Sequence, residues 1–446
     1  MGQRIRSSTA RCLAVLVTPF LVLVVMAGMA PASAASSLSH ESGGRTPADA
    51  AALAAVPASL RAAIGASLRT SAPAAGYSRL AELTASDRAA GDNFGYSVAM
   101  AASGTTALVG AEDHHFAAGA AYVFTLRGGT WSQTAVLTAP NAEGFDQFGD
   151  SVALSARGTT ALVGALGRNS GTGAAYVFTL RGGTWSRTAV LTASRGAPND
   201  QFGLSVALSA PGTTALVGAG TGATCVFTLR GGTWSQTARL TASRGAPTDA
   251  FGYSAALSAS ATTALVGALG RNSNTGAAYV FTLRHGIWSQ TAMLTASRGV
   301  PNDAFGYSVA LSALGSMALV GAPGRNSSTG AAYVFTLRGG TWSRTAVLAA
   351  SRGARNDDFG AAAALSASGT TALVGATGRD SFTGAAYVFT LRGGTWSQTA
   401  ELAASRGAPN DAFGSTAGLS AAGTTALVGA QGHSDTGAAF VFEGIR

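Results

Sequence analysis

The sequence contains no lysine and little charge of either sign. All 29 basic residues of the 446-residue chain are arginines, and charged residues make up only 11% of it. Without lysine, Schiff-base catalysis on a lysine amine is excluded. Neither a G-x-S-x-G nor an H-E-x-x-H motif occurs, and no spacing pairs a nucleophile with a base. We therefore predict that the chain is not an enzyme and uses no cofactor.

Cysteine is also scarce, with Cys12 and Cys225 as the two copies. Cys12 lies in the leader described below, so we predict no disulfide within the mature chain. Hydrophobic residues make up 47% of the chain, which is enough for a large buried core. The formal net charge of +9 is dispersed along the chain instead of forming one basic patch with interleaved aromatic residues. The composition therefore argues against nucleic-acid binding.

The N-terminus has the order of a secretory signal peptide. Three arginines precede an apolar run from about Leu13 to Met29, and Ala32-Ser33-Ala34 follows as a cleavage pattern. We predict a signal peptide over residues 1–34 and a secreted or cell-surface protein. The apolar run is long enough that the leader could instead stay uncleaved as a membrane anchor. If the leader is cleaved, we expect no stable membrane insertion. Residues 35–76 read as a linker, with a short helix over Pro57–Leu68.

An Asp-x-Phe-Gly pattern recurs seven times in the rest of the chain. Its phenylalanines are Phe94, Phe148, Phe202, Phe251, Phe305, Phe359 and Phe413, and the spacing is 54 residues except for one interval of 49. So steady a period indicates a repeat architecture. Each unit divides into four short strands separated by turn residues. The first strand alternates in hydrophobicity, the second reads ALVGA, the third AAYVFTL, and the fourth begins with Trp after a tight Arg-Gly-Gly turn.

The two ends of the repeat region complement each other. Six units contain the Trp strand, but the seventh ends at Arg446 before reaching it. The segment that starts at Tyr77 matches the segment that starts at Trp396, and each lies 17 residues before a Phe-Gly. We therefore predict an all-β fold over residues 77–446. It is a seven-bladed β-propeller of four-stranded antiparallel blades, closed by an N-terminal strand that completes the last blade.

The Phe-Gly and Val-Gly-Ala-Pro motifs, together with the GAAYVF segment and the Trp strand, resemble FG-GAP repeats of the bacterial secreted type. This resemblance covers residues 77–446 and implies the propeller that integrin α-subunit heads also use. Repeats of the integrin type carry acidic calcium loops between the first and second strands. Here those loops read ASGTT, ARGTT, APGTT, ASATT, ALGSM, ASGTT and AAGTT. Since they contain no carboxylate, we do not expect calcium to bind there.

Candidate binding residues lie where strand alternation brings two sets of loops to one face. The loops between second and third strands supply Arg168, Arg271, Arg325, Arg379 and His433, and the blade-to-blade loops supply Arg195, Arg244, Arg298, Arg352 and Arg406. An arginine-rich face could bind an anionic glycan or cell-wall polymer. The alternative interpretation is an ordinary solvated surface that binds no ligand. The recurring aspartates, two residues before each Phe, are expected to hydrogen-bond the turn backbone.

A metal site is the alternative use of these loops. Asp113, His114 and His115 lie in the first loop and His433 and Asp435 in the last, and ring closure makes their blades neighbours. Histidine and carboxylate together suit a transition metal, although adjacent histidines are poorly placed to share one ion.

The sequence therefore favours a monomeric binding or adhesion module whose partner is an unknown protein or glycan at the cell surface. A secreted propeller hydrolase or lyase and a passive structural surface protein remain the alternatives. The enzyme needs titratable groups in the central channel, and the first strands offer mainly Ser, Ala, Val and Gly.

Overall fold

The computed structural model describes residues 76–445. The predicted leader, and the predicted linker up to residue 75 with its helix over residues 57–68, lie outside these residues. The first strand begins at Gly76, one residue before the predicted boundary. Over the described range, no helix has both the length and the apolar character needed to cross a membrane.

Each repeat folds into four strands that run in order from the centre of the molecule to its edge. The inner strands are β2 (Ser97–Met100), β6 (Phe148–Leu154), β10 (Ser205–Leu208), β14 (Phe251–Leu257), β18 (Val309–Leu311), β22 (Phe359–Leu365) and β26 (Ala417–Leu419). The second strands are β3 (Thr106–Ala111), β7 (Thr160–Ala165), β11 (Thr214–Ala219), β15 (Thr263–Ala268), β19 (Met317–Ala322), β23 (Thr371–Ala376) and β27 (Thr425–Ala430). The third strands are β4 (Ala120–Arg127), β8 (Ala174–Arg181), β12 (Ala223–Arg230), β16 (Ala277–Arg284), β20 (Ala331–Arg338), β24 (Ala385–Arg392) and β28 (Ala438–Ile445). The outer strands are β5 (Thr130–Leu137), β9 (Thr184–Leu191), β13 (Thr233–Leu240), β17 (Ile287–Leu294), β21 (Thr341–Leu348), β25 (Thr395–Leu402) and β1 (Gly76–Leu83).

These strands form seven four-stranded antiparallel sheets. Six sheets contain four consecutive strands, and the seventh has the order β1-β28-β27-β26. In it Tyr77 lies opposite Gly444, and Leu83 lies opposite Ala439. The N-terminal strand thus completes the last blade, so the predicted seven-bladed propeller and its mode of closure are confirmed.

A ring of backbone hydrogen bonds closes around one end of the inner strands. Seven alanines occupy equivalent positions just after these strands, and the N–H of each donates to the carbonyl of the alanine in the next blade. The members are Ala102, Ala156, Ala210, Ala259, Ala313, Ala367 and Ala421, with N···O distances of 2.9–3.0 Å. The last bond runs from Ala421 back to Ala102, and the seven side chains pack together. This end of the central channel is therefore narrowed by a continuous collar.

The Phe of each Phe-Gly pair fills the space between two blades. All seven of these rings are at most 1% exposed. Phe148, for example, makes edge-to-face contacts with Tyr176 and Phe178 of its own blade, at centroid distances of 5.4 and 6.0 Å. It also packs in one cluster with Leu108 and Val123 of the preceding blade. The hydrophobic core is thus a series of inter-blade clusters, which explains why the repeat keeps this residue.

The Gly of the same pair brings two backbones into close approach. The carbonyl of Gly203 accepts a hydrogen bond from the Ser151 hydroxyl of the preceding blade, at 2.6 Å. A Cβ on Gly164, the glycine of the ALVGA strand in that preceding blade, would lie 2.1 Å from the same carbonyl oxygen. The seam between blades therefore requires glycine in the second strand for steric reasons.

We predict that deleting residues 77–86 exposes the edge of β28 and yields aggregated protein, because a free strand edge pairs with other chains. Light scattering and size-exclusion chromatography would measure this. Replacing residues 77–86 by a copy of residues 396–405 is the matched control and should restore soluble protein. Soluble, monomeric and equally stable protein after the deletion would contradict ring closure.

We also predict opposite effects for two glycine-to-alanine changes. Gly164→Ala should lower the free energy of unfolding by about 2–3 kcal/mol, because the new methyl group meets the Gly203 carbonyl. Gly418→Ala should raise it by about 0.5–1 kcal/mol. Around Gly418 no atom lies within 3.4 Å of a new Cβ, and the other six inner strands have Ala there. Denaturant titration would measure both changes, and equal effects would refute the steric account of the seam.

Candidate binding face

The loops between second and third strands and the blade-to-blade loops lie together at one end of the propeller, here called the loop face. Five of the former contain a single helical turn: α1 (His114–Ala117), α2 (Arg168–Gly171), α3 (Arg271–Asn274), α4 (Arg325–Ser328) and α5 (Arg379–Phe382). The last blade has a 3-10 turn at His433–Asp435 instead. Inside these turns the backbone is left-handed, as at Asn326 (φ 53°) and Ser327 (φ 57°). Asn, Asp and Ser suit this conformation because their short polar side chains bond locally.

The recurring aspartates hold the blade-to-blade loops, as the sequence pattern indicates. In every repeat one carboxylate oxygen accepts a hydrogen bond from the backbone N–H three residues earlier. Asp303, for instance, is 1% exposed and accepts from Val300 N–H at 2.9 Å. These side chains serve the fold and are not available as a ring of free ligands.

Three of the predicted binding arginines are bound to these aspartates. Ion pairs join Arg168 to Asp146 at 2.6 Å, Arg271 to Asp249 at 3.2 Å and Arg325 to Asp303 at 2.7 Å. Their side chains are only about one fifth exposed. The hydrogen bond to Asp146 raises the pKa of Arg168 above its ordinary value. Each pair ties a left-handed turn to the loop of the same blade-to-blade junction.

Arg379 has other partners. Its guanidinium donates to the Tyr387 hydroxyl and lies 3.4 Å from Asp380 and 3.5 Å from Glu401. The shortened third loop lacks an arginine, and the Thr221 hydroxyl donates to Asp200 instead, at 2.9 Å. All four predicted arginines are therefore engaged within the protein.

The two loop histidines take the place of arginine in blades one and seven. Nδ1 of His114 lies 3.0 Å from Asp92, and Nδ1 of His433 lies 2.7 Å from Asp411. Their Nε2 atoms lie 3.7 Å from Asp87 and 3.8 Å from Glu82. Each buried imidazole is thus placed between two carboxylates, both from the junction loop for His114 and one from strand β1 for His433.

The structure does not bring together the five residues predicted as metal ligands. Asp113 accepts a hydrogen bond from the Asn93 amide at 2.6 Å, His115 is exposed, and the other two histidines are occupied by their aspartates. Asp435 remains in the loop of blade seven, where its carbonyl accepts from Gly91 N–H. Among the residues described, no three His, Cys, Asp or Glu side chains are grouped so as to hold a metal ion.

A second set of arginines on the loop face is free. Their side chains are exposed at equivalent positions in five consecutive blade-to-blade loops: Arg195, Arg244, Arg298, Arg352 and Arg406. Within residues 76–445 none of these five guanidinium groups takes part in an ion pair or a hydrogen bond. We call this set the arginine arc. At the two junctions flanking blade one, the equivalent residues are Asp87 and Asn141.

The mouth of the channel holds titratable groups that the sequence analysis overlooked. The residue after each Phe-Gly lies there, and its identity changes around the ring: Tyr96, Asp150, Leu204, Tyr253, Tyr307, Ala361 and Ser415. The Tyr253 and Tyr307 rings lie 5.2 Å apart. This variation at one position of an otherwise constant repeat is the signal that could have identified the cluster.

Asp150 forms a buried carboxyl pair with Glu112. Each carboxyl group shifts the pKa of the other, and the two side chains are 7% and 6% exposed. Burial, and next the charge of Asp150, raise the pKa of Glu112 well above its ordinary value. Burial likewise raises the pKa of Asp150. The charge of Asp150 and burial also raise the pKa of Tyr96. The pair therefore retains one proton in the neutral range.

We predict that Glu112→Gln flattens the pH dependence of stability. An unfolded Glu loses its proton near a pKa of about 4.3, whereas the native pair keeps one to higher pH. The stabilising contribution of this proton is complete below that value and falls as pH rises, because unfolding then releases a proton. At pH 8 the variant should be about 1–2 kcal/mol more stable than the wild type. Urea titrations across the pH range would measure this, with exposed Glu443→Gln as the control; an unchanged slope would refute the shared proton.

Comparison with known proteins agrees with the repeat. The sequence profile of the FG-GAP repeat matches the chain seven times, over residues 77–124, 131–178, 185–225, 234–281, 288–335, 342–389 and 396–442. No curated protein matches the chain. Each match joins the outer strand of one blade to the first three strands of the next, as the closure of the ring requires. These matches extend over most of the chain, which therefore belongs to the FG-GAP repeat family.

Proposed function

We propose that the protein is a secreted or cell-surface binding module whose arginine arc holds an anionic glycan or cell-wall polymer. The observation that supports this most strongly is the pairing pattern of the loop-face arginines. Those in the turns are neutralised by carboxylates, whereas the five of the arc point to solvent without partners. The paired arginines hold the loops in place, and the arginine arc supplies the positive charge that attracts an anionic ligand.

A repetitive ligand suits this geometry better than a compact one. The arc repeats one guanidinium per blade over five junctions, so an extended polyanion can meet several arginines at once. A single exposed ion pair contributes little, about 0–1 kcal/mol, but linked contacts act together through a high effective concentration. Binding of this kind weakens as salt screens the charges.

The proposed location is extracellular or at the cell surface. The leader pattern over residues 1–34 and the family membership support it. The partner is then a polymer or protein outside the cytoplasm.

A second candidate function, a secreted hydrolase or lyase, is favoured by the Glu112–Asp150 pair at the channel mouth. Two carboxyl groups that share a proton can provide an acid and a base. The raised pKa of Tyr96 opposes use of its hydroxyl as a base, so acid–base chemistry here would depend on the carboxyl pair alone. Polysaccharide cleavage that is lost in Glu112→Gln would favour the enzyme.

We predict that replacing the five arginines of the arc by Gln weakens binding to heparin or polygalacturonate at least tenfold (about 1.4 kcal/mol or more). Isothermal titration calorimetry at low and high salt would measure this. The matched control replaces five exposed arginines of the hairpins at the opposite end, Arg181, Arg230, Arg284, Arg338 and Arg392, and changes the net charge equally. Equal loss in both variants would refute the loop face as the site, and no binding by the wild type would refute an anionic polymer ligand.

A further inference from the structure

Two exposed phenylalanines lie in adjacent backbone segments at the junction of blades one and two. Phe116 is 91% exposed and Phe145 is 77% exposed, more than any other large hydrophobic residue described. Phe116 belongs to α1, and Phe145 to the following blade-to-blade loop. Their backbones are joined, since Phe145 N–H donates to the Phe116 carbonyl at 3.2 Å. The two residues therefore belong to one part of the surface.

Neither phenylalanine is explained by folding. Both have a left-handed backbone, with φ of 58° and 71°, which is unfavourable for a bulky side chain. Four other loops of the same length have Ser where Phe116 stands: Ser170, Ser273, Ser327 and Ser381. Four other junctions have Asn where Phe145 stands: Asn199, Asn302, Asn356 and Asn410. The first junction thus replaces residues that suit the turn by aromatic residues that strain it and bury little of their surface.

The surroundings of this aromatic pair are acidic, unlike the rest of the chain. Eight of the 20 acidic residues lie between Glu82 and Asp150, a segment with only two arginines. Asp87 and Glu143 are exposed and Asp113 is half-buried. Asp87, Asp113, Phe116, Glu143 and Phe145 are here called the acidic aromatic patch. The Glu112–Asp150 pair adds buried negative charge behind the patch. Asp87 lies 3.7 Å from Nε2 of His114, whereas within the described part of the chain no arginine or histidine forms an ion pair with Asp113 or Glu143.

We infer that the acidic aromatic patch docks a protein segment that carries Arg or Lys next to apolar side chains. Aromatic residues, phenylalanine among them, are enriched in protein interfaces, and the acidic rim selects a cationic partner. An anionic polymer would be repelled here, so this site is distinct from the arginine arc. A phospholipid surface fits poorly, because its phosphates would meet Asp87, Asp113 and Glu143.

The structure itself suggests the variant for the test. Phe116→Ser with Phe145→Asn installs the residues that other junctions carry in the same backbone conformation, so the fold should be retained and the strain relieved. Phe382→Ser is the matched control, because Phe382 is a partly exposed phenylalanine (38%) on the loop face of blade six, where blade five has Ser328. Denaturant titration of each variant verifies folding before binding is measured.

The experiment is selection of a displayed library of random peptides, about a dozen residues long, on the full chain. We expect enrichment of peptides that combine Arg or Lys with aromatic or aliphatic residues. Synthetic copies should bind the double variant at least about tenfold more weakly, and Phe382→Ser as tightly as the wild type. Asp87→Asn with Glu143→Gln should weaken binding and its salt dependence.

Three results would overturn the inference. They are a failure to enrich cationic apolar peptides, equal binding of such peptides to the double variant, or equal loss in Phe382→Ser. Sedimentation with phosphatidylcholine or phosphatidylglycerol vesicles serves as a separate arm. Vesicle binding that the double variant abolishes would assign the patch to a membrane and reject a protein partner. Neither arm depends on polyanion binding by the arginine arc.

Discussion

The close approach of backbones between neighbouring blades is the constraint on which this propeller depends. At each seam, a Phe-Gly carbonyl of one blade meets the second-strand glycine of the blade before it, and in five seams it also accepts a hydrogen bond from a serine hydroxyl, as Gly203 meets Gly164 and Ser151. There is no room for a Cβ, so the repeat keeps glycine in both places. Because each seam has nearly the same geometry, the blades turn by equal steps and the ring closes at seven. The alanine collar and the outer strand supplied by β1 follow from that closure.

The same repeat that builds the seam also shapes the loop face. One aspartate in each unit holds the turn before the inner strand, and in three junctions it also fixes an arginine of the neighbouring left-handed turn. Arginines that the sequence suggests as ligand contacts are thus paired with aspartates inside the protein. The arginines that stay unpaired lie in the blade-to-blade loops, where within the described residues those of the arginine arc form no ion pair.

Departures from the repeat are concentrated at blade one and around the channel mouth. Blade one exchanges arginine for histidine and aspartate, and it carries Phe116 and Phe145 where other units have small polar residues. The loop face is consequently divided into a basic arc and the acidic aromatic patch. Such a division lets one rigid ring present two surfaces of opposite charge, and loops tolerate these exchanges because the seam lies beneath them.

The architecture can be deduced from the amino-acid sequence alone. A period of 54 residues, strand-length units and the match between the segments at Tyr77 and Trp396 specify the number of blades and the way the ring closes, because each is a property of spacing along the chain. The sequence also indicated the role of the aspartates, since their turn contacts are local. It could not show which arginines are free, because pairing of Arg325 with Asp303 or Arg168 with Asp146 joins residues 22 positions apart. Nor could it show that Glu112 meets Asp150 or that Phe116 lies beside Phe145. Those contacts join different blades, and their burial and charge depend on how the tertiary structure stacks one blade against the next.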